Sequence, residues 1–308
     1  MQGLALMPDG NQSGRTTVFP VCDYDLDETL GSGQAFRWQA HGDAWEGVIG
    51  EQWVRLQRTT AGIHAEAAAP QQDWHWLEEF LQIKVNIADV LQTFPDDEPM
   101  RRAVASCRGL RLLRQEPWEC LASFILSSTK QIVQIREIVH LLTERYGQHV
   151  ITPNKSGPAH AFPSAERIAA CSETELRACK MGFRAPYLLK TAQMIVSDVV
   201  NLEDLKSLAL SEARARLLLF PGVGRKIADC VLLFGYGFPQ AFPVDVWIMR
   251  ALRELYFPRK RKVTPQQILE FSERHFGPNG GYAQQYLFHY MRTKHTSNNR
   301  DKASRSTQ

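Results

Sequence analysis

A Pro-Gly-Val-Gly turn between two apolar, helix-like segments constrains this chain more than any other stretch. The segment LLLFPGVGRKIADCVLLF runs from Leu217 to Phe234. Pro221 ends the first helix because it has no amide hydrogen, and glycine permits positive φ angles in the turn, which we expect at Gly222 and Gly224. So short a connection predicts a helical hairpin over about residues 212–236.

The turn and the helix that follows it carry two chemical signals. The first amides of a helix lack partners within the helix, so the turn can bind a phosphate; a plain corner between two helices is the alternative interpretation. At Lys226 the positive end of the helix dipole disfavours an ammonium and favours the neutral amine, a nucleophile. A surface lysine is the alternative there.

An aspartate nineteen residues after Lys226 completes a candidate pair. Asp245 directly precedes an apolar helical run, where it predicts an N-cap. A carboxylate held by helix-start amides stays ionised, which suits a group that stabilises developing positive charge.

The hydrophobic pattern changes from strand-like to helix-like near Asp73, which we interpret as a helix cap. Before it, AWEGVIGEQWVRL predicts a hairpin with a Gly-Glu turn; from about residue 100 to 292 nearly every segment is helix-like. We therefore predict a sheet domain over residues 15–107 and a helical domain over 108–292. The polar residues 1–14 and the basic residues 293–308 are predicted to be disordered.

Composition narrows the class of protein. The net charge of +3 permits a polyanionic partner without demanding one, and no window approaches the ~20 apolar residues of a membrane span. The six cysteines form no C-x-x-C pair, which argues against a zinc ribbon, a disulfide framework or an iron–sulfur cluster. We expect reduced thiols, an intracellular location and no membrane partner.

Several motifs resemble, in their order, those of one enzyme family. They are SGQAFRW (32–38), GLRLLRQEPWECLASFILSS (109–128), FPS (162–164), GFRAPY (182–187), PGVGRKIADC (221–230), PVDVW (243–247) and YAQQYLF (282–288). Over residues 20–292 the chain resembles the 8-oxoguanine DNA glycosylase branch of the helix-hairpin-helix DNA glycosylases.

The resemblance implies the fold and the activity. The fold class would be α+β, with an N-terminal antiparallel sheet domain like that of the TATA-box-binding protein and an all-helical domain that carries the hairpin. The enzyme would be a monomeric, DNA-associated, bifunctional DNA glycosylase and abasic-site lyase of base excision repair, located in the cytoplasm or nucleoid of a bacterium or the nucleus of a eukaryote. It would flip 8-oxoguanine out of double-stranded DNA and excise it.

The resemblance also implies roles for individual residues. Lys226 would attack the sugar C1′ and form a Schiff base, assisted by Asp245. The residues implied for the base pocket are Gly33, whose carbonyl would accept the N7–H of the lesion, Gln284, which would read the Watson–Crick edge, and Cys230 and Phe288, which would sandwich the base. Those implied for DNA binding are Gly222, Val223, Gly224, Arg225, Thr129, Lys130, Gln131, Phe183, Arg184 and Trp247.

Catalysis would need no cofactor under this interpretation. The carbonyls of Leu218, Phe220 and Val223 would hold a structural monovalent or calcium ion when DNA is bound.

The chain departs from the family pattern in three respects. Thr129, Lys130 and Gln131 stand where three asparagines are usual, Gln134 replaces an arginine that reads the orphaned cytosine, and Trp247 replaces a phosphate-contacting histidine. We therefore predict a weaker preference for cytosine opposite the lesion.

Two other functions stay open from the sequence. One is a monofunctional glycosylase for alkylated bases, although such enzymes often lack the lysine. The other is a non-catalytic DNA-binding module, and a structural protein is the least favoured interpretation. Taken alone, Gln284 could be a solvated helix residue, Phe288 a core residue and Gly33 a simple turn glycine.

Overall fold

The computed structural model describes residues 14–153, 157, 159–259 and 263–305, with residues 296–305 described by their backbone alone. An antiparallel sheet opens the chain, and its order is β1-β5-β4-β3-β2. Its strands are β1 (Gly14–Phe19), β2 (Gln39–His41), β3 (Ala44–Ile49), β4 (Gln52–Thr59) and β5 (Gly62–Gln71). Gly50 and Glu51 form the predicted turn, with Ile49 opposite Gln52.

One helix lies between β1 and β2, and the other helices follow the sheet. In chain order, the helices are α1 (Leu26–Gly31), α2 (His75–Leu81), α3 (Ile87–Leu91), α4 (Glu98–Ser106), α5 (Pro117–Leu126), α6 (Ile132–Tyr146), α7 (Ala165–Ala169), α8 (Glu173–Leu176), α9 (Ala185–Val196), α10 (Leu210–Leu217), α11 (Arg225–Val231), α12 (Val246–Tyr256), α13 (Pro265–His275) and α14 (Gly280–Arg305). The predicted α+β class, a sheet followed by a helical domain, is confirmed.

Two main apolar clusters hold the molecule together. One lies between the sheet and helices α1 and α2, and includes Leu30, Leu56 and Leu81. The other fills the helical part. Ile87 and Met100 pack into the helical cluster, so α3 and α4 belong by packing to the helical part although they precede residue 108. The two parts meet along the segment between α4 and α5.

Local capping explains where several helices begin. Pro117 stands at the first position of α5, where its missing amide hydrogen costs nothing. Asp73 accepts a bond from the His75 amide, but the cap position of α2 is Trp74, one residue later than predicted. The Asp245 cap of α12 is confirmed, since its carboxylate accepts the Ile248 amide at 2.8 Å.

Two predictions about the ends and the helical domain are wrong. Helix α14 continues to Arg305, so the tail is helical rather than disordered from residue 293. No glycine or proline follows Gly281, so nothing in the sequence interrupts the helix. The helical part also contains a second, two-stranded sheet, β6 (His149–Val150) and β7 (Ala159–His160), because Val150 and Ala161 pack on Trp53 of the first sheet.

The remaining expectations concern the termini, membranes and thiols. Residues 1–13 and 306–308 of the predicted disordered ends lie outside the described residues, whereas Gly14 already belongs to β1. In the part of the chain that the structure describes, we find no helix with the length and apolarity of a membrane span. All six cysteines are free thiols, as expected.

Candidate active site

The predicted hairpin is formed by α10 and α11. Gly222 has φ +76°, and an added Cβ would lie 2.6 Å from the ring of Tyr187, so only glycine fits. Gly224 differs from the expectation of a positive φ. It is the N-cap of α11 with φ −93°, and an added Cβ there would meet only open space.

A buried ion pair joins the two helices of the hairpin. Arg214 of α10 and the fully buried Asp229 of α11 approach to 2.6 Å. Arg225 lies 3.6 Å from the other oxygen of Asp229 and 2.9 Å from Glu273. These two carboxylates hold the Arg225 side chain.

Lys226 points from the first turn of α11 into a cavity rather than into solvent. Its Nζ donates to Ser127 Oγ at 3.2 Å and lies 5.2 Å from the centroid of the Phe124 ring. The side chain is half-buried. A surface lysine, the alternative interpretation, is therefore wrong.

Asp245 faces the same cavity from the start of α12. Burial raises the pKa of its carboxyl, and this outweighs the opposing effects of the Ile248 amide and of the Lys226 charge. We expected the helix-start amides to keep Asp245 ionised. They oppose its protonation, but desolvation has the greater effect on the pKa.

The cavity lies at the junction of the sheet and helical parts and has a volume of about 1020 Å³. Among the predicted site residues it is lined by Gly33, Thr129, Lys130, Gln131, Lys226, Cys230, Asp245, Trp247, Gln284 and Phe288. Gly33 comes from the loop after α1, and the other residues come from the helical part. The cavity thus lies where we predicted the active site, between the two parts.

Gly33 takes a conformation that other residues rarely adopt. Its φ is +87°, and an added Cβ would lie 2.5 Å from Ile132 Cδ1 and 2.7 Å from Arg292 Nη1. The positive φ therefore favours glycine here, and an added Cβ would also require the ends of the Ile132 and Arg292 side chains to move.

The other base-pocket candidates line the cavity from α11 and α14. Gln284 is only 4% exposed, so the alternative of a solvated residue is wrong. Its Oε1 is buried and accepts no hydrogen bond from any residue that the structure describes. Phe288 is half-buried, and Cys230 is buried, which raises the pKa of its thiol to about 12. Cys230 therefore acts as a small apolar wall and not as a thiolate.

The opposite rim of the cavity is built differently. Thr129 has φ +57°, a strained conformation for a β-branched residue. Its hydroxyl accepts a bond from Arg184 Nη2 at 2.5 Å. Arg184 is 2% exposed, and its guanidinium lies 4.2 Å from the centroid of the Phe183 ring, which is 54% exposed.

The remaining predicted DNA contacts lie on this rim. Lys130 and Gln131 connect α5 to α6, and the Gln131 amide donates to the Gln134 side chain at 3.1 Å. The Trp247 ring lies 5.4 Å from that of His295 and 5.2 Å from the Arg250 guanidinium. Trp247 thus sits between two groups that can be positively charged.

Five further polar residues line the cavity and were not predicted from the sequence as site residues. They are Ser127, Ser128, Arg136, Gln285 and Arg292. Arg136 occupies the middle of an amphipathic helix, where a charge indicates a solvated face, and Arg292 stands where we placed the end of the folded chain. Only the position of Gln285 next to Gln284 could have drawn attention to it.

The fold is that of a base excision DNA repair protein. Residues 122–278 match the family model described as HhH-GPD superfamily base excision DNA repair protein. Residues 17–121 match that of the 8-oxoguanine DNA glycosylase N-terminal domain. The chain belongs to the 8-oxoguanine DNA glycosylase branch of this superfamily.

Individual relatives agree with the family assignment. The chain is similar to a probable N-glycosylase/DNA lyase of Methanothermobacter thermautotrophicus, with 31% identity over 89% of this chain and 95% of the relative. It is 29% identical to the N-glycosylase/DNA lyase OGG1 of Arabidopsis thaliana over 90% of this chain and 81% of the relative.

A solved structure is similar over most of its length. The 8-oxoguanine glycosylase/lyase of Clostridium acetobutylicum, in complex with double-stranded DNA containing cytosine opposite 8-oxoguanine, has a TM-score of 0.83. It is 30% identical, and the similarity covers 88% of this chain and 93% of that one.

Proposed function

We propose that this protein is a bifunctional DNA glycosylase and abasic-site lyase that excises 8-oxoguanine from double-stranded DNA. One observation carries the proposal: Lys226 and Asp245, from the starts of two different helices, face one cavity that Gly33 and the buried Gln284 also line. An amine, a carboxylate and a polar pocket for a planar base are the groups that this chemistry needs.

The reaction is assigned to Lys226. Its neutral amine attacks C1′ of the sugar, the C1′–N9 bond breaks, and the electron pair of that bond goes to the base. The proton that the amine loses is available to the departing base, and we assign Asp245 to carry it. In the resulting amine adduct the C1′–O4′ bond breaks, O4′ takes up a proton, and a Schiff base forms between Lys226 and C1′. Loss of a proton from C2′ and of the 3′ phosphate by β-elimination then cleaves the strand 3′ to the lesion.

The lesion is recognised by hydrogen bonds on opposite edges. We assign the Gly33 carbonyl as acceptor for the N7–H, a hydrogen that guanine lacks; an acceptor facing guanine N7 would be repelled. The unpartnered Oε1 of Gln284 is assigned to the N–H groups of the Watson–Crick edge. Cys230 and Phe288 would enclose the base.

The hairpin is assigned to the DNA backbone. The amides from Gly222 to Lys226 would bind a phosphate, and the open space beside Gly224 supports its close approach. The carbonyls of Leu218, Phe220 and Val223 would hold a structural cation; neutral oxygens suit a hard ion, and the Phe220 carbonyl accepts only the Val223 amide, at 3.2 Å, among the described main-chain donors.

The opposite rim supports a relaxed choice of the partner base. Arg184 would have to leave Thr129 to read an orphaned base, and Gln134 already bonds to the Gln131 amide. We therefore propose a weak preference for cytosine. The exposed Phe183 would serve as the wedge. A monomer and an intracellular, DNA-associated location remain part of this proposal.

The test uses a duplex with a single 8-oxoguanine. We expect base release by the wild type, a covalent adduct on borohydride reduction, and loss of both in Lys226→Ala. Lys206→Ala is the matched control, because Lys206 is exposed and pairs with Glu203 on the surface.

The other outcomes separate the alternatives. Base release without an adduct would indicate a monofunctional enzyme, and binding without release would indicate a DNA-binding module. Either result would overturn the proposal.

A further inference from the structure

The wall of the cavity is strongly cationic. Its basic lining residues are Lys130, Arg136, Lys226 and Arg292, whereas Asp245 is the one acidic residue among the lining residues that the structure describes. Lys226 is accounted for by the reaction and Lys130 by the DNA-facing rim. Neither function accounts for the two arginines.

Arg292 lies beside the two groups that would touch the base. Its Nη1 is 2.7 Å from the position of a Cβ on Gly33, and its Cζ is 5.7 Å from the centroid of the Phe288 ring. Its Nη2 donates to the Gly31 carbonyl at 2.6 Å and is 3.4 Å from His289 Nδ1. These contacts fix the guanidinium at the edge of the base pocket.

Arg136 enters the same cavity from α6. Its Nε is buried and has no acceptor among the described residues. The Nε2 of Gln285, also buried in the lining, likewise lacks a described acceptor. This part of the wall thus offers hydrogen-bond donors that a ligand with carbonyl oxygens or negative charge would satisfy.

Burial of the two guanidinium groups, Arg136 and Arg292, costs free energy. Burial lowers the pKa of Arg136, and it lowers the pKa of Arg292 to about 10, with repulsion from Arg136 as the next cause. Glu28, which bonds to His289, offsets only part of this. Two like charges that both lose solvation favour an anion between them and disfavour a further cation.

We propose that Arg136 and Arg292 select the charge of the excised base: they stabilise the negative charge that develops on an oxidised purine as it leaves, and they exclude cationic alkylated purines. This rests on the proposed glycosylase function. When the C1′–N9 bond breaks, its electron pair moves onto the base, so donors fixed in advance beside the base lower the barrier. A purine methylated at N7 enters with a positive charge and meets repulsion instead.

The experiment compares three duplexes under single-turnover conditions: one with 8-oxoguanine, one with 7-methylguanine, and one with a preformed abasic site. For Arg136→Met we expect release of 8-oxoguanine to fall about tenfold, while cleavage at the abasic site, where no base leaves, stays within about twofold. Release of 7-methylguanine should rise. Arg292→Met should act in the same direction, and Arg292→Lys, which keeps the charge, should recover part of the loss.

The control is Arg145→Met, an exposed arginine near the end of the same helix α6. Equal losses on all three duplexes would mean that the arginines only maintain the structure and would overturn the inference. Variants with wild-type rates on 8-oxoguanine would overturn it too, while leaving the proposed function intact. A wild type that releases no 8-oxoguanine would remove the proposed function and this inference together.

Discussion

The two sides of the cavity differ in the burial and the hydrogen bonding of their residues. On the base-pocket side, Gln284 and Cys230 are buried, Gly33 has a positive φ, and the buried Oε1 of Gln284 has no hydrogen-bond partner among the described residues. On the opposite rim, Thr129 is strained and Arg184 is tied to it.

The difference shows where the structure is prepared for a ligand. A buried, unpaired polar atom costs free energy unless a ligand completes it, so the base pocket is organised in advance for a defined partner. On the rim, the Arg184 guanidinium already bonds to Thr129 and to the Met181 carbonyl, although its buried Nε has no acceptor among the described residues. The rim must rearrange before it can read a base, and this predicts stringent recognition of the lesion with lenient recognition of the opposite base.

The largest effect is expected for Asp245→Asn, which removes the charge beside Lys226 and keeps the helix cap. Base release should fall about 100-fold, because an electrostatic group at the reacting centre is lost. In the wild type, base release should fall as the pH drops through the raised pKa of Asp245. Single-turnover rates across pH measure both effects, and an unchanged rate in the variant would remove Asp245 from the mechanism.

The same variant should be more stable at neutral pH. A carboxyl whose pKa is raised by folding stabilises the protein below its unfolded pKa and loses that contribution as the pH rises through the folded value. Asparagine has no charge to bury at neutral pH, so it avoids this loss of stability. We expect the free energy of unfolding to increase by about 1 kcal/mol at pH 7. Urea denaturation at pH 7 and pH 4 checks it: the gain should shrink at the lower pH.

Gly33→Ala tests the base-pocket side directly. Both the positive φ and the contacts with Ile132 and Arg292 oppose the methyl group, so we expect about a tenfold loss in the ratio of 8-oxoguanine to guanine release. The matched control is Gly42→Ala, at φ +64° with open space around an added Cβ. If both variants keep the wild-type ratio, the Gly33 carbonyl does not carry the selectivity.

The rim should give smaller effects. Across four duplexes that differ only opposite the lesion, we expect wild-type rates within about tenfold of one another, the range that a single lost hydrogen-bonding contact allows. The double variant Thr129→Asn and Gln134→Arg should raise the preference for cytosine. A strong cytosine preference in the wild type would contradict the comparison between the two sides.

The smallest effect is on stability at Thr129. Asparagine tolerates a positive φ better than threonine does, so Thr129→Asn should stabilise the protein by about 0.5 kcal/mol, set against the lost bond to Arg184. Thermal unfolding of this variant and of Thr129→Ser separates strain from hydrogen bonding. Serine keeps the hydroxyl, and destabilisation by asparagine alone would show that the hydrogen bond to Arg184 outweighs the backbone strain.

Most of the fold could be predicted from local patterns. The Gly50–Glu51 turn and the Asp245 cap depend on neighbouring residues and were confirmed. The end of α14 was not predicted correctly, because a polar sequence without glycine or proline is compatible with both helix and disorder. The β6–β7 pair was missed because its strands owe their place to the distant Trp53.

The sequence by itself determined the hairpin, the Lys226 and Asp245 pair and the family, since each depends only on local spacing and on the order of motifs. Only the tertiary structure decided that Arg136, Gln285 and Arg292 share a wall with Gly33, and that burial outweighs the amides in setting the pKa of Asp245. The physical reason is that desolvation and the repulsion between like charges depend on which distant segments pack together, and no local pattern records that.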